Sequence, residues 1–325
     1  MNTSYFATSE AIEFCYSSFN GSCMRSIRLV STQYIMYVAL CSAILMTVIG
    51  NVTIIISISQ FKQLHTPTNY LLLSLAVTDF LVGSFVMPYS MVRSIETCWY
   101  FGDLFYRYYA VCDPLRYPAL ISGSVTGIMI IICWAVSAGI SFGMVFLELN
   151  IKGCEAFYYQ HVKCIGGCTL FLSKEAALLS SMISFYIPGF VMVCIYLKIY
   201  SVARKQARSL KDITVRHHTQ EDRRSQLSGK RERKAAKTLG IVMGVFLTCW
   251  FPFFCCNVMD PFLGYAMPSV LVDALVWFGY LNSTFNPMIY AFFYTWFQKA
   301  LKMIASGKLF KHDSSNARLQ YFHDE

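Results

Sequence analysis

Charged side chains are scarce in this sequence. Only 14% of its 325 residues are Asp, Glu, Lys or Arg, whereas 56% are hydrophobic. The segment Tyr34–Ile58 runs for 25 residues without a charge. At about 1.5 Å per residue, a helix of that length crosses a hydrocarbon core about 30 Å thick. This composition argues against an ordinary water-soluble domain and indicates an α-helical protein of the lipid bilayer.

Patterns that carry enzyme chemistry are also missing. The sequence contains no HxxxH or CxxC metal-ligand spacing, no phosphate-binding glycine loop and no arrangement typical of a catalytic triad. We therefore predict that the protein is not an enzyme and needs no cofactor.

Five further apolar segments resemble Tyr34–Ile58 in length. They are Tyr70–Tyr89, Val125–Leu147, Ala176–Leu197, Thr238–Met259 and Val270–Tyr294. Only two residues inside the six segments are charged, Asp79 and Asp273. The pattern predicts six membrane crossings within a bundle at residues 34–294.

The charged residues outside these segments predict the orientation. The net charge is +9, and residues 204–237 alone hold twelve Lys and Arg against four acids. By the positive-inside rule, the loop at 203–237 is cytoplasmic, and so is the basic amphipathic helix and tail predicted at 295–325. Nucleic-acid binding is the alternative for a basic run, but bases that flank apolar segments are topology signals, so no nucleic-acid partner is expected.

The amino-terminal residues 1–33 are polar and contain two glycosylation sequons, at Asn2 and Asn20. They predict an extracellular, glycosylated amino terminus. With that terminus outside and the tail inside, the number of crossings must be odd, but only six are visible.

The place of the missing crossing is between Met91 and Ser124. This stretch begins as an extracellular loop, MVRSIETCWYFGDLF, and continues from Tyr106 as a cytoplasmic one, YRYYAVCDPLRYPAL. No apolar run separates the two.

Several motifs now point to a family. LAVTD at Leu75–Asp79, CWFP at Cys249–Pro252 and NPMIY at Asn286–Tyr290 resemble those of rhodopsin-like G-protein-coupled receptors. Three longer stretches, FKQLHTPTN, CWYFGDLF and NSTFNPMIYAFFYTWF, are similar to trace amine-associated receptors near the type-one branch. The resemblance implies one receptor domain, 1–325, with an all-α seven-transmembrane fold. It also implies that the third helix is deleted between Phe105 and Arg107, which leaves six apparent spans.

The resemblance implies a sodium and water site at Asp79, Ser283 and Asn286. A charged carboxylate inside a membrane span is unfavourable, so Asp79 must have a partner. The alternative is that Asp79 is protonated, bonds Asn51 and Asn286, and only holds the helices together.

A ligand pocket is expected above a kinked sixth helix. Its predicted lining consists of Trp250, Phe253, Phe254, Asn257, Tyr280 and, on the fifth span, Ser180 and Ser184. The aromatic rings can attract an ammonium group. The two serines are four residues apart, and so could bond a phenolic hydroxyl from one helix face; bonding to their own backbone is the alternative.

The residues of an activation switch are also implied by the resemblance. They are Arg107, Tyr108, Glu232, Trp250, Pro252, Asn286, Pro287 and Tyr290. An ion pair between Arg107 and Glu232 is expected to favour the resting state, and its release to open a cleft for the G protein. The alternative is an unordered basic loop.

Thirteen cysteines are present, and six of them lie within the apolar segments. By resemblance, Cys168 bonds the third helix, and Cys164 bonds either Cys15 or Cys23. The partner of Cys168 is missing with the helix, and such a spare thiol invites wrong pairing.

The function implied is that of a plasma-membrane receptor for small trace or biogenic amines that signals through a stimulatory G protein to cyclic AMP. In the resembling family the ligand's ammonium pairs with an aspartate on the third helix. An alternative is therefore a non-signalling polypeptide, from a skipped exon, a gene-model error or a decaying gene, retained in the endoplasmic reticulum. A six-span transporter or channel is disfavoured, because the spans show neither repeats nor multiple charges.

Overall fold

The computed structural model of the chain describes residues 13–26, 28–98, 124–167, 171–198, 201 and 220–306. Its regular elements in this part of the chain are helices: α1 (Val30–Gln60), α2 (Pro67–Leu81), α3 (Met87–Glu96), α4 (Ser124–Phe146), α5 (Glu155–Phe157), α6 (Lys174–Ser181), α7 (Gln220–Met259), α8 (Ser269–Phe293) and α9 (Thr295–Ala305). The predicted all-α membrane fold is confirmed.

Three of these helices continue through a wider, π-helical turn, and for α5 this turn is Tyr158–Val162. Val82–Val86 joins α2 to α3, and Met182–Tyr186 carries α6 onward to Lys198. Short 3₁₀ turns follow α1 at Lys62–Leu64 and α7 at Asp260–Leu263.

Four helical runs are long and apolar enough to cross a membrane: Val30–Gln60, Asn69–Glu96, Lys174–Lys198 and Gly240–Leu263. They coincide with four of the six predicted segments. The other two segments are helical as well, as α4, with its apolar stretch Ile130–Met144, and as α8. The predicted deletion of the third helix, between Phe105 and Arg107, lies outside the described residues and stays a prediction.

Local chemistry explains where two helices begin. Thr66 caps α2 by accepting a hydrogen bond from the backbone N–H of Asn69, and Pro67 occupies the first turn, where its missing N–H costs nothing. Ser173 caps α6 in the same way by accepting from Ala176.

Helix α8 is packed closely on both sides. A Cβ atom added at Gly50 of α1 would lie 2.6 Å from Cβ of Pro287, and one added at Gly279 would lie 2.6 Å from Cζ3 of Trp250. These glycines let α8 approach α1 and α7 more closely than any larger residue would permit.

At the inner end of the bundle, α9 closes the apolar core. Phe297 and Ala300 of α9 are buried in one cluster with residues of α1, α2 and α8, namely Ile54, Ile58, Ala76 and Tyr290, and with Phe61 and Leu64 of the connecting turn. The amphipathic helix predicted after residue 294 is thus present as α9, with Lys299 and Lys302 along it.

At the outer end, the amino-terminal segment is held by two disulfides. Cys23 bonds Cys164, one of the two pairings left open by the sequence, and Cys15 bonds Cys98, which was not among the expected cysteines. Cys168 lies outside the described residues. Asn20, one of the two predicted glycosylation sites, lies in an exposed turn of this segment, whereas Asn2 lies outside the described residues.

Ionic contacts add to this attachment. Arg25 lies 2.9 Å from Oε2 of Glu96, at the end of α3, and the hydroxyl of Tyr37 donates to Oε1 of the same carboxylate at 2.8 Å. The amino-terminal segment therefore joins α1, α3 and the loop before α6.

The close approach at Gly279 leads to a stability prediction. Replacing Gly279 by Ala should lower the Tm of the purified receptor by at least about 2 °C relative to Gly244→Ala, because overpacking costs about 1–3 kcal/mol. Gly244 of α7 is a matched control, since nothing lies within 4 Å of its added Cβ and the gain in helix propensity is the same. Equal Tm values for the two variants would show that the Trp250 ring moves aside without cost.

Candidate functional site

The centre of the bundle holds a buried carboxylate. Asp79 of α2 is 3% exposed, and both of its oxygens accept hydrogen bonds from α8. The hydroxyl of Ser283 donates to Oδ1 at 2.6 Å, and Nδ2 of Asn286 donates to Oδ2 at 2.7 Å. Ser283 and Asn286 lie three residues apart, on one helix face, so a single helix supplies both donors.

The alternative interpretation of Asp79 bonds it to Asn51, but the structure gives Asn51 other partners. Its Nδ2 donates to two backbone carbonyls, Thr47 at 2.9 Å and Ser283 at 3.1 Å, rather than to Asp79. Asn51 thus ties α1 to α8, because the side-chain amide reaches the carbonyl of the next helix. Of the two bonds in that alternative, the one from Asn286 is present and the one from Asn51 is not.

Several oxygens on α1 and α8 are buried without a hydrogen-bond partner among the described residues. They are Oδ1 of Asn51, Asn282 and Asn286 and the hydroxyl of Tyr290. Buried polar atoms require a partner, and carboxylate and amide oxygens suit water or a hard cation. The described residues contain no group of three His, Cys, Asp or Glu side chains that could hold a metal. One carboxylate with amide and hydroxyl oxygens is a donor set that fits a hard cation with water.

Above Asp79, the aromatic rings expected to line the ligand pocket form one continuous cluster. The ring centre of Trp250 lies 5.8 Å from Phe253, 6.1 Å from Phe254 and 6.2 Å from Tyr280. Phe185, which was not predicted, stacks on Phe254 at 4.6 Å. Pro252 lies within α7, two residues beyond Trp250, so the cluster sits at the site where a proline interrupts the helix hydrogen bonds.

The serines of the fifth span follow the backbone alternative. Ser180 donates to the carbonyl of Ala177 at 3.3 Å, and the exposed Ser184 donates to the carbonyl of Ser180. The π-helical turn that starts at Met182 holds more residues per turn than an α-helix, so the four-residue spacing no longer specifies one face. Sequence reasoning assumed a regular helix and could not anticipate this turn.

Ser181 is the serine of this span that reaches α7. It is fully buried and its oxygen accepts a hydrogen bond from Nδ2 of Asn257 at 3.0 Å. Asn257, predicted as a pocket residue, is therefore oriented by a serine that the sequence analysis did not select.

A second polar group lies at the outer end, between α3 and α8. Arg93 and Asp273 form an ion pair at 2.6 Å. The hydroxyls of Ser90 and Tyr280 lie 3.1 Å apart, and Nε1 of Trp277 donates to the hydroxyl of Ser94 at 3.2 Å;. Of this group, the sequence analysis selected only Tyr280 for the site, although Asp273 stood out as one of two charges within the spans.

The predicted switch is only partly described. Pro287 lies within α8 against Gly50, and Tyr290 is 2% exposed with its ring 5.6 Å from that of Tyr294. Arg107 and Tyr108 lie outside the described residues. Glu232 lies in α7, but its side chain is outside the described part, so the ion pair between Arg107 and Glu232 stays a prediction.

Comparison with known proteins identifies the family of this arrangement. The family described as "7 transmembrane receptor (rhodopsin family)" matches residues 50–106 and 105–290. Trace amine-associated receptor 1 of Macaca mulatta is 52% identical, over 94% of this chain and 98% of its own length. Trace amine-associated receptor 1 of Homo sapiens is also 52% identical, and trace amine-associated receptor 4 of Mus musculus is 44% identical over 99% of this chain and its own full length.

These alignments are longer than the chain permits without gaps. The alignment with the Macaca mulatta protein spans 330 residues but includes 94% of 325 residues, or about 306, so about 24 positions hold no residue of this chain. The alignment with the mouse protein spans 347 residues and includes 99% of the chain, which leaves about 25 such positions.

The matched family, the identity to these relatives and the apolar helices agree with one another. The chain therefore belongs to the rhodopsin family of seven-transmembrane receptors, within it to the trace amine-associated receptors, and is a multi-pass plasma-membrane receptor rather than an enzyme.

Proposed function

We propose that this receptor binds small amines and that, with a complete set of helices, it activates a stimulatory G protein and raises cyclic AMP. The observation that supports amine binding is the aromatic cluster of Trp250, Phe253, Phe254 and Tyr280. The similar receptors are also named for trace amines. An ammonium group is attracted to the faces of such rings, and the adjoining Asn257 and Ser181 can orient a polar substituent.

We infer that the residues absent from the chain are the third helix, between Phe105 and Arg107. The family match divides at residues 105–106, and the two alignments each leave about 24 or 25 positions empty. That number corresponds to one membrane-spanning helix of about 20–25 residues.

Loss of this helix removes the carboxylate that the family resemblance assigns to the ammonium group. Of the two carboxylates in the apolar spans, Asp79 is already engaged by Ser283 and Asn286 deep in the bundle. An ammonium ion that enters the aromatic cluster without a partner loses hydration, and this loss exceeds what ring contacts return.

The first functional prediction compares two receptors. Cells that express the chain as written should show no rise in cyclic AMP with 2-phenylethylamine, whereas cells that express a version with a family third helix inserted at Tyr106 should respond. Surface labelling of an amino-terminal tag on both versions is the control for expression. A saturable response from the unmodified chain would contradict the deletion argument.

We further propose that the oxygens around Asp79 hold sodium and water. When bound, sodium would supply a positive charge opposite the carboxylate, and the unpartnered oxygens of Asn51 and Asn286 are the residues fitted to share it. Ser283 and Asn286 hold the Asp79 oxygens in place for this role.

The second functional prediction tests that site. In the restored receptor, Asp79→Asn should abolish the dependence of agonist affinity on sodium, because the change removes the charge and keeps the size. Agonist competition binding in sodium and in N-methylglucamine buffers measures it. If Asp79→Asn keeps the sodium dependence of its parent, the carboxylate is a structural hydrogen-bonding group.

The third functional prediction concerns Trp250. Trp250→Ala should lower the maximal cyclic AMP response, because it removes the ring that joins Phe253, Phe254 and Tyr280, while Trp250→Phe should retain part of it. Combined with Asp79→Asn, the effects should be non-additive, because both sites bias the same change between states. Strict additivity would argue that the two sites act independently.

A further inference from the structure

We infer that Asp273 is an anchor for the ammonium group of an amine at the outer end of the bundle, and that Arg93 occupies this anchor until the amine displaces it. The inference rests on the proposed function, since it concerns where an amine binds.

Accessibility distinguishes Asp273 from the other carboxylate of the apolar spans. Its side chain is 22% exposed, and that of Arg93 is 24% exposed, so a solute can reach the pair from the outer face. Asp79 is 3% exposed and is held by two donors on α8. A cation that approaches from outside therefore meets Asp273 first.

Aromatic rings follow this carboxylate along the same helix face. Trp277 and Tyr280 stand four and seven residues after Asp273 on α8, the spacing that places side chains one and two turns apart on one face. The rings of Trp277 and Tyr280 lie 5.5 Å apart, and Tyr280 lies 6.2 Å from Trp250. An aromatic amine anchored at Asp273 can therefore lay its ring along a surface that continues to the predicted pocket.

Arg93 has a second carboxylate available on its own helix. Glu96 stands three residues further along α3, at the spacing of neighbouring side chains. Glu96 already accepts from Arg25 and Tyr37, but two carboxylate oxygens offer about four acceptor positions. A displaced Arg93 guanidinium thus keeps an ionic partner, which lowers the cost of exchange.

The exchange predicts opposite effects for the two members of one ion pair. Arg93→Gln removes the competitor and should tighten amine binding about two- to fivefold, the range of a partly exposed ion pair. Asp273→Asn removes the anchor and should weaken binding about two- to fivefold, by the same argument. If the pair only latched α3 to α8, both variants would shift binding in the same direction.

The test uses the full chain in lipid nanodiscs and measures equilibrium binding of 2-phenylethylamine near pH 7. The variants are Arg93→Gln, Asp273→Asn and the double variant, which should bind like Asp273→Asn. The control ligand is 2-phenylethanol, which has the same ring without the positive charge and should be indifferent to both substitutions. Every variant lacks the ion pair, so the Tm of each is measured to show whether that loss destabilises the fold.

The outcomes separate this inference from the proposed function. Opposite shifts for the amine, with none for the alcohol, support the anchor. The anchor is overturned if both variants shift amine binding in the same direction, if neither shifts it, or if the chain as written does not bind the amine. In each case, binding by the version with a restored third helix would leave the proposed function intact. Absence of amine binding in both versions would overturn both. Binding at Asp273 requires only α3 and α8, so it is measured independently of the cyclic AMP response.

Discussion

The bundle depends on the solution to one problem, the burial of the Asp79 carboxylate in an apolar interior. A charge in a membrane span is costly unless polar groups surround it. Here two donors from α8, Ser283 and Asn286, satisfy both oxygens of Asp79. Because these donors must be held at hydrogen-bond distance, the carboxylate determines how α8 is rotated and how closely it approaches α2.

The packing around α8 follows from that constraint. Asn51 fixes α1 to the carbonyl of Ser283, and Thr47 bonds Thr284 at 2.7 Å one residue further along. Gly50 and Gly279 then admit Pro287 and Trp250 at distances that a Cβ atom would block. Helix association in a membrane depends on close approach and on hydrogen bonds between helices, and α8 has both. It is consequently the element to which α1, α2 and α7 are all attached.

The sequence was sufficient where the pattern is long or where one helix supplies the whole arrangement. The apolar runs predicted the helices, because their length and lack of charge have few alternatives. The buried charge of Asp79 required a partner, and the family resemblance grouped it with Ser283 and Asn286, which bond it in the structure. The pairing of Cys15 with Cys98 could not be derived, because connectivity depends on how loops fold back across the outer surface. The contact of Ser181 with Asn257 was missed, and the π-helical turn after Ser181, which changes which residues share a face, leaves no clear mark in the composition. The alternative that bonded Asn51 to Asp79 did not anticipate that the amide of Asn51 donates to backbone carbonyls instead.

The two carboxylates of the apolar spans, Asp79 and Asp273, both connect α8 to the continuous helix formed by α2 and α3. Asp79 lies on α2 and takes its partners from α8, whereas Asp273 lies on α8 and takes Arg93 from α3, the continuation of α2 beyond a π-helical turn. One contact is buried and consists of neutral donors to a carboxylate; the other is partly exposed and consists of two opposite charges.

Between these two contacts, Trp277 and Tyr280 bond Ser94 and Ser90, so the interface carries polar contacts along its length. A change in the partner of Asp273 at the outer end alters the same helix pair that encloses Asp79. The ring of Tyr280, which contacts both Ser90 and Trp250, then connects that helix pair to the proline-interrupted helix α7.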